Sequence, residues 1–202
     1  MGGRERQKLE TRARILATAG ALFDEIGYDE TTLRMVAKRA GVSVGSVFTT
    51  FSGKAELLSQ VMADRVDALY GELERLIPHL RGPTMDRLRS IMAAHYGFET
   101  RRLRLFVAYI AASFSWTPDA RATPLGRNQR FRGMLADILV AGVERGDVRA
   151  DLDLELFVDA LLGAYVWNYR RAMQEDADAS ALIAEMDRQI GLLFEGAAAR
   201  ER

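Results

Sequence analysis

Cysteine is absent from the 202 residues. That one absence removes disulfides, thiolate nucleophiles and thiolate metal ligands together, and it fits a reducing compartment. Histidine occurs only at His79 and His95, and no nucleophile elbow, phosphate loop or HExxH pattern accompanies them. The acidic group Asp151, Asp153 and Glu155 reads as helix-start capping rather than a catalytic dyad. Catalysis, a metal site and a cofactor are therefore not expected. The longest apolar run, Leu105 to Phe114, is too short to span a bilayer, and the opening MGGRERQKLE holds no apolar core of a secretory signal. A soluble, cytoplasmic protein with no membrane partner is expected. Formal net charge is +0, so overall electrostatics alone would not predict binding to a polyanion.

What is present is helical patterning. Hydrophobic residues make up 49% and charged residues 28% of the chain, enough apolar material for a substantial core. Ile15, Ala19, Leu22, Phe23 and Ile26 share one helical stripe, stopped by Gly27. Leu33, Val36, Ala37 and Ala40 form a second, stopped by Gly41. A longer stripe runs through Leu58, Val61, Met62, Arg65, Leu69, Leu73 and Leu76 and breaks near Pro78. The four prolines (Pro78, Pro83, Pro118, Pro124) divide the rest into helical segments at about 85–100, 102–115, 125–145, 152–173 and 180–198. No stretch alternates with a period of two, so no strand is expected. The expected architecture is all-α: a three-helix unit over 1–54 joined to a larger helical body over 55–202.

Charge is unevenly distributed along this neutral chain. Arg4, Arg6, Lys8, Arg12 and Arg14 face only Glu5 and Glu10, and Thr31 to Lys54 holds Arg34, Lys38, Arg39 and Lys54 without an acid. A locally basic face is what phosphate contact requires. The same stretch carries TTLRMVAKRAGVSVGSVFTTF, residues 31–51. Thr31 or Thr32 can cap the first short helix, although neither is followed by the Glu or Gln of a capping box. Ala37 is small where two helices would cross, and Gly41 permits the positive φ of a tight turn. Val42 can plug the angle between the helices, and Ser43 can cap the second. Val47 and Phe51 then face inward, leaving Val44, Gly45, Ser46, Thr49 and Thr50 outward, small enough to approach base edges and phosphates. This is the pattern of a helix-turn-helix that docks in a major groove.

With RILATAGALFDEIGYDETTL before it and SGKAELL after it, the segment from Thr11 to Leu58 resembles the N-terminal domain of the TetR family of bacterial regulators. The resemblance implies that Val44 to Thr50 is the recognition helix. It places Thr32, Ser43, Phe48 and Lys54 where relatives touch phosphates, and Gly45, Ser46 and Thr49 where they approach bases; Arg34 and Thr50 join the expected DNA-binding set. Phe48 stands where members usually carry Tyr, so it lacks the hydroxyl that reaches a phosphate and is expected to pack or to meet a sugar or thymine methyl. Thr50 stands where His or Tyr is usual.

Most of the aromatic residues lie after position 60. Tyr and Trp carry polar tips that need partners when buried, so they suit an apolar cavity holding a few polar groups. The resemblance implies an effector pocket in the body, and His95, Tyr96, Tyr109, Ser113, Trp116, Phe131, Tyr165 and Asn168 are its candidate lining. Two C-terminal stripes, Leu154–Phe157–Val158–Leu161–Leu162–Tyr165–Tyr169 and Leu182–Ile183–Met186–Ile190–Leu193–Phe194, could be buried within one chain or paired across a homodimer as a four-helix bundle. The expected function is a repressor that binds a palindromic operator in double-stranded DNA as a homodimer and is released by a small apolar or aromatic effector. The alternative is an architectural or cell-division DNA binder that answers to no ligand.

Overall fold

The computed structural model describes residues 2–113, 129–175 and 177–196. Among them are nine α-helices and no strand: α1 (Gly3–Ile26), α2 (Leu33–Ala40), α3 (Val44–Thr50), α4 (Lys54–Leu76), α5 (Thr84–Glu99), α6 (Leu103–Ser113), α7 (Gln129–Arg145), α8 (Leu154–Glu175) and α9 (Ala179–Glu195). The breaks fall where local chemistry demands them. Gly27 leaves α1 at a φ of 89° while its N–H bonds to the Phe23 carbonyl. Pro78 sits in a 3-10 turn, Ile77–His79, that follows α4, and Pro83 occupies the N-cap of α5. The chain divides into two compact units, Met1–Asp67 with Arg104–Ala122, and Ala68–Leu103 with Thr123–Arg202. The division falls within α4.

In the first unit α2 lies against both α1 and α3. Its core gathers Ile15, Ala19, Leu22 and Phe23 from α1, Val36, Ala37 and Ala40 from α2, Val47 and Phe51 around α3, and Leu57, Leu58 and Met62 from α4. Ile26, the last member of the α1 stripe, is 41% exposed, because the chain turns away at Gly27 directly after it. Gly20 brings α1 close to α4: a Cβ there would stand 3.5 Å from a Val61 methyl.

In the second unit α5 contacts α7 and α9, and α8 contacts α7 and α9. Both C-terminal stripes are used largely inside the chain: Phe157, Val158, Leu161, Leu162, Tyr165, Tyr169, Leu182, Met186 and Ile190 are buried, while Leu154, Ile183, Leu193 and Phe194 are half-buried. Polar groups share this core and are paired, as burial requires. The Tyr165 hydroxyl lies 2.7 Å from His95 Nδ1 and donates to the Tyr169 hydroxyl at 3.2 Å. Asn168 donates to the Tyr96 hydroxyl at 3.1 Å and exchanges two hydrogen bonds with Gln189 of α9, at 2.8 and 3.0 Å. Burial holds the His95 imidazole neutral, pushing its pKa down to about 3 against the opposition of a backbone hydrogen bond. Burial likewise pushes the Tyr96 and Tyr165 hydroxyls upward, so both stay protonated as donors.

The start of α5 is tied to the turn after α7. Asp147 accepts from the Thr84 N–H at 2.6 Å and from the Thr84 hydroxyl at 2.9 Å, and Arg145 donates to the same hydroxyl at 2.8 Å. Desolvation opposes ionisation of Asp147, but the Thr84 hydrogen bonds and the Arg145 charge together hold its carboxyl below the ordinary value. The junction depends on Gly142, where a Cβ would fall 2.1 Å from Thr84 Oγ1 and 2.6 Å from a Val148 methyl.

Gly142→Ala should destabilise by about 1–3 kcal/mol through overpacking, read from denaturant midpoints. Gly71→Ala, in a helical position with nothing within 4 Å of the new Cβ, should instead stabilise by up to ~1 kcal/mol. For His95 the folded pKa of about 3 lies below the ordinary imidazole value of 6.5. The unfolded chain therefore binds the proton more readily, so this contribution is complete above pH 6.5 and is lost as pH falls toward 3. His95→Gln should flatten the fall in denaturant midpoint between pH 7 and pH 4.5, and an unchanged slope would contradict the assignment.

Candidate functional site

The α2–turn–α3 unit is built from short-range chemistry. Thr32, rather than Thr31, caps α2: its hydroxyl accepts from the Met35 N–H at 3.3 Å. Thr31 is buried and donates to the Gly27 carbonyl at 2.7 Å, tying the incoming loop to the end of α1. Gly41 holds φ 65° and ψ 38°, and the Val42 N–H reaches back to the Ala37 carbonyl at 3.0 Å, the 6→1 bond of a Schellman ending. Ser43 caps α3, accepting from the Ser46 N–H at 3.0 Å. Val47 and Phe51 are buried beneath it, while Gly45, Phe48 and Thr49 are exposed and Val44, Ser46 and Thr50 half-buried. Thr32, Ser43 and every residue of the expected recognition helix therefore belong to one continuous element pair.

The cations near this face divide into two groups. Arg34 and Lys38 are exposed on α2, and neither has a side-chain partner among the described residues. Arg39 is held by Glu25 through bonds of 2.5 and 2.7 Å. Arg12 donates to Gln60 at 2.9 Å and to the Thr50 carbonyl at 3.5 Å, with its guanidinium 4.6 Å above the Phe51 ring. It braces the C-terminal end of α3 from behind. Counting basic residues from the sequence credited Arg12 and Arg39 to the outward charge, and the structure engages both internally. Lys54 donates to the Tyr28 and Asp29 carbonyls at 2.9 and 3.1 Å and lies 4.3 Å from the Tyr28 ring centroid. An ammonium has three protons, so one remains for an outside acceptor. At the start of α4, the Ser52 N–H is capped by Glu56 at 2.6 Å.

Of the candidate effector residues, His95, Tyr96, Phe131, Tyr165 and Asn168 come together in the second unit, all buried. His95 stands 4.9 Å from Phe131 and 4.8 Å from Tyr165 by ring centroids. Tyr109 is buried on α6 in the first unit, its ring 6.3 Å from Phe106. Ser113 ends α6, and Trp116 lies outside the described residues. Sequence reasoning left out three partners of this cluster. Tyr70 stacks on Phe131 at 5.6 Å and 7°, Tyr169 meets Tyr165, and Gln189 meets Asn168. Only Tyr169 carried a signal, one helical turn beyond Tyr165; Tyr70 and Gln189 arrive by tertiary contact alone. An open cleft of about 460 Å³ lies elsewhere in this unit, with Ile77, Met134 and Ile138 among its apolar lining and Arg87, Arg130 and Arg145 among its charged groups. A smaller hollow of about 180 Å³ includes Asn168. No helix of the described residues is long and apolar enough to cross a membrane, and no group of metal-ligating side chains occurs among them.

Comparison with known proteins agrees with this geometry. Residues 15–61 match the family model described as bacterial regulatory proteins, tetR family, and residues 81–170 match a tetracyclin repressor-like C-terminal domain. The HTH-type transcriptional repressor KstR2 of Mycolicibacterium smegmatis is 29% identical over 151 residues, which is 74% of this chain and 73% of that protein. Among solved structures, Thermus thermophilus FadR, a TetR-family transcriptional repressor in complex with lauroyl-CoA, aligns with a TM-score of 0.74 and 27% identity. That alignment covers 95% of this chain and 97% of the other. Bacillus subtilis FadR shares the fold, with a TM-score of 0.71 at 19% identity over 92% of this chain and 99% of the other. With its capped α2–α3 unit and its helical body both matched, the chain belongs to the TetR family of bacterial transcriptional regulators.

Proposed function

We propose that this protein is a repressor that binds a two-fold symmetric operator as a homodimer and leaves it when an acyl-CoA-type effector binds the body. In this reading residues 1–54 form the DNA-binding domain and 55–202 the effector-binding and dimerisation domain. The observation that carries it is the alignment, over nearly the whole chain, with a repressor solved with lauroyl-CoA. That liganded relative favours effector control over a ligand-independent architectural role. The cleft of about 460 Å³ is of the size that small-molecule sites occupy, and its apolar lining suits an acyl chain, while its charged groups include both guanidinium groups and the Glu74 and Asp137 carboxylates.

On the DNA side, α3 enters the major groove with Gly45, Ser46 and Thr49 toward the bases. Thr32 and Ser43 lie toward the backbone with Thr50 beside them, and Phe48, lacking a hydroxyl for phosphate, meets a sugar or a thymine methyl. Arg34, which has no side-chain partner among the described residues, and the third proton of Lys54 serve phosphates, positioning the helix without reading sequence. Two copies are needed because one short helix contacts too few base pairs for useful specificity. Their half-sites should lie about 34–36 Å apart or somewhat more.

A surface for the second copy is available on α8 and α9. With most of the C-terminal stripes buried internally, a different face remains exposed: Leu156, Ala160, Gly163 and Trp167 recur at helical spacing on α8, and Leu192 stands out on α9. Leu156 is 64%, Trp167 51% and Leu192 62% exposed. Side chains of this size left in water mark an interaction surface when they share one face.

In sedimentation equilibrium the protein should show the mass of two chains, and Trp167→Glu should shift it toward one while lowering operator affinity. A single-chain mass for the unsubstituted protein would sink the dimer. Effector control is tested by titrating lauroyl-CoA against free and operator-bound protein. By linkage, whatever factor the effector removes from operator affinity must be removed by the operator from effector affinity. Equal lauroyl-CoA affinity in the two states would exclude induction by that molecule.

A further inference from the structure

The recognition helix carries an unusual side-chain inventory. Val44–Thr50 reads VGSVFTT and contains no ammonium, guanidinium, carboxylate or carboxamide. Guanine is read through O6 and N7 by a bidentate donor such as Arg or Lys, and adenine through N6 and N7 by Asn or Gln. Neither reader is present on α3. Hydroxyls are the only polar side-chain groups left, and most of their protons are already placed. Thr49 and Thr50 both donate to the Ser46 carbonyl, at 3.1 and 2.7 Å. Ser43 and Ser46 share one hydrogen bond of 2.8 Å. Of these four hydroxyl protons, one remains for an outside acceptor.

What faces outward is therefore apolar. Phe48 is 54% exposed, and beside it stand the Thr49 γ-methyl, the Val44 methyls and the bare backbone of Gly45. Gly45 answers no internal constraint: a Cβ there would meet only Ser43 Oγ, at an ordinary 3.7 Å. Its missing side chain leaves room for a close approach from outside. A methyl-and-ring surface complements one feature of the major groove, the C5-methyl of thymine, which Phe and the Thr methyl contact directly.

We infer that α3 selects its half-site through thymine methyl groups, with Phe48, Thr49 and Val44 as the specificity-determining residues. The lone pairs of the Thr hydroxyls accept from adenine or cytosine amino groups in support. No guanine is read bidentately from this helix. The inference rests on the DNA-binding reading above and adds the chemistry of the bases chosen.

The test uses the full chain and a duplex selected by it from a randomised pool. Each half-site thymine is replaced by uracil, which removes only the methyl, and each guanine by 7-deazaguanine, which removes only the N7 acceptor. Uracil should weaken binding by roughly fourfold for each methyl that was withdrawn from water, while 7-deazaguanine should leave affinity within about twofold. Thr49→Ser keeps the hydroxyl and deletes the methyl, and Phe48→Ala deletes the ring, so at least one variant should lose part of the uracil penalty. Uracil duplexes bound as tightly as thymine duplexes would overturn the proposal. A 7-deazaguanine penalty that persists when Arg34→Ala and Lys38→Ala are combined would do the same, since these are the two cations on the neighbouring helix without a side-chain partner among the described residues. If no duplex were enriched from the pool, the DNA-binding reading would itself fall, and this proposal with it.

Discussion

The orientation of α3 rests on one backbone conformation. Gly41 lies in the left-handed region, and nothing would touch a Cβ placed there. Its requirement is thus purely conformational: an L side chain would cost roughly 1–2 kcal/mol in that region whatever the space. Because Gly41 turns the chain there, Val42 can bond back to Ala37 and Ser43 can reach the capping position of α3. Val47 and Phe51 then fall into the core, and Gly45, Phe48 and Thr49 are left outside by default. Arg12 completes the bracing from α1 by holding the last carbonyl of α3.

The second unit is organised by a different constraint, the need to satisfy polar groups far from water. Tyr96, Tyr165, His95 and Asn168 are each at most 1% exposed, and leaving any of them unpaired would carry a desolvation cost of about 1–3 kcal/mol. The reciprocal Asn168–Gln189 pair satisfies both amides and fixes α9 against α8. A purely apolar contact could slide by a turn with little loss, whereas this pair tolerates one register. The same burial that keeps His95 neutral makes the core sensitive to acid.

Electrostatics around the α2–α3 unit depends on which cations are already partnered. Arg12, Arg39 and Lys54 all donate to groups within the first unit. Arg34 and Lys38 do not, among the described residues. A neutral protein can thus present positive charge locally without a large basic excess. Lys54 combines both duties, because two of its protons hold the loop after α1 and a third stays available.

Local chemistry was legible in the sequence because it acts over a few residues. Helical periodicity, the Gly27 and Gly41 stops, the Ser43 cap and the inward Val47 and Phe51 are all consequences of spacing along one chain, and each appears where spacing places it. The absence of any charged or amide side chain on α3 is likewise a property of seven consecutive letters. Tertiary structure alone decided the rest. The α8 and α9 stripes read equally well as intrachain core or dimer seam, and packing among α5, α7, α8 and α9 buried most of their members, leaving Leu154, Ile183, Leu193 and Phe194 half-buried and Leu156, Trp167 and Leu192 outside. Tyr70 and Gln189 joined the aromatic cluster, and Asp147 came to cap α5 from 63 residues away, through contacts that no periodicity encodes. The sequence determined which residues could be buried or paired, since hydrophobicity and hydrogen-bonding capacity belong to each side chain. Which partner each one found was decided only when distant helices met.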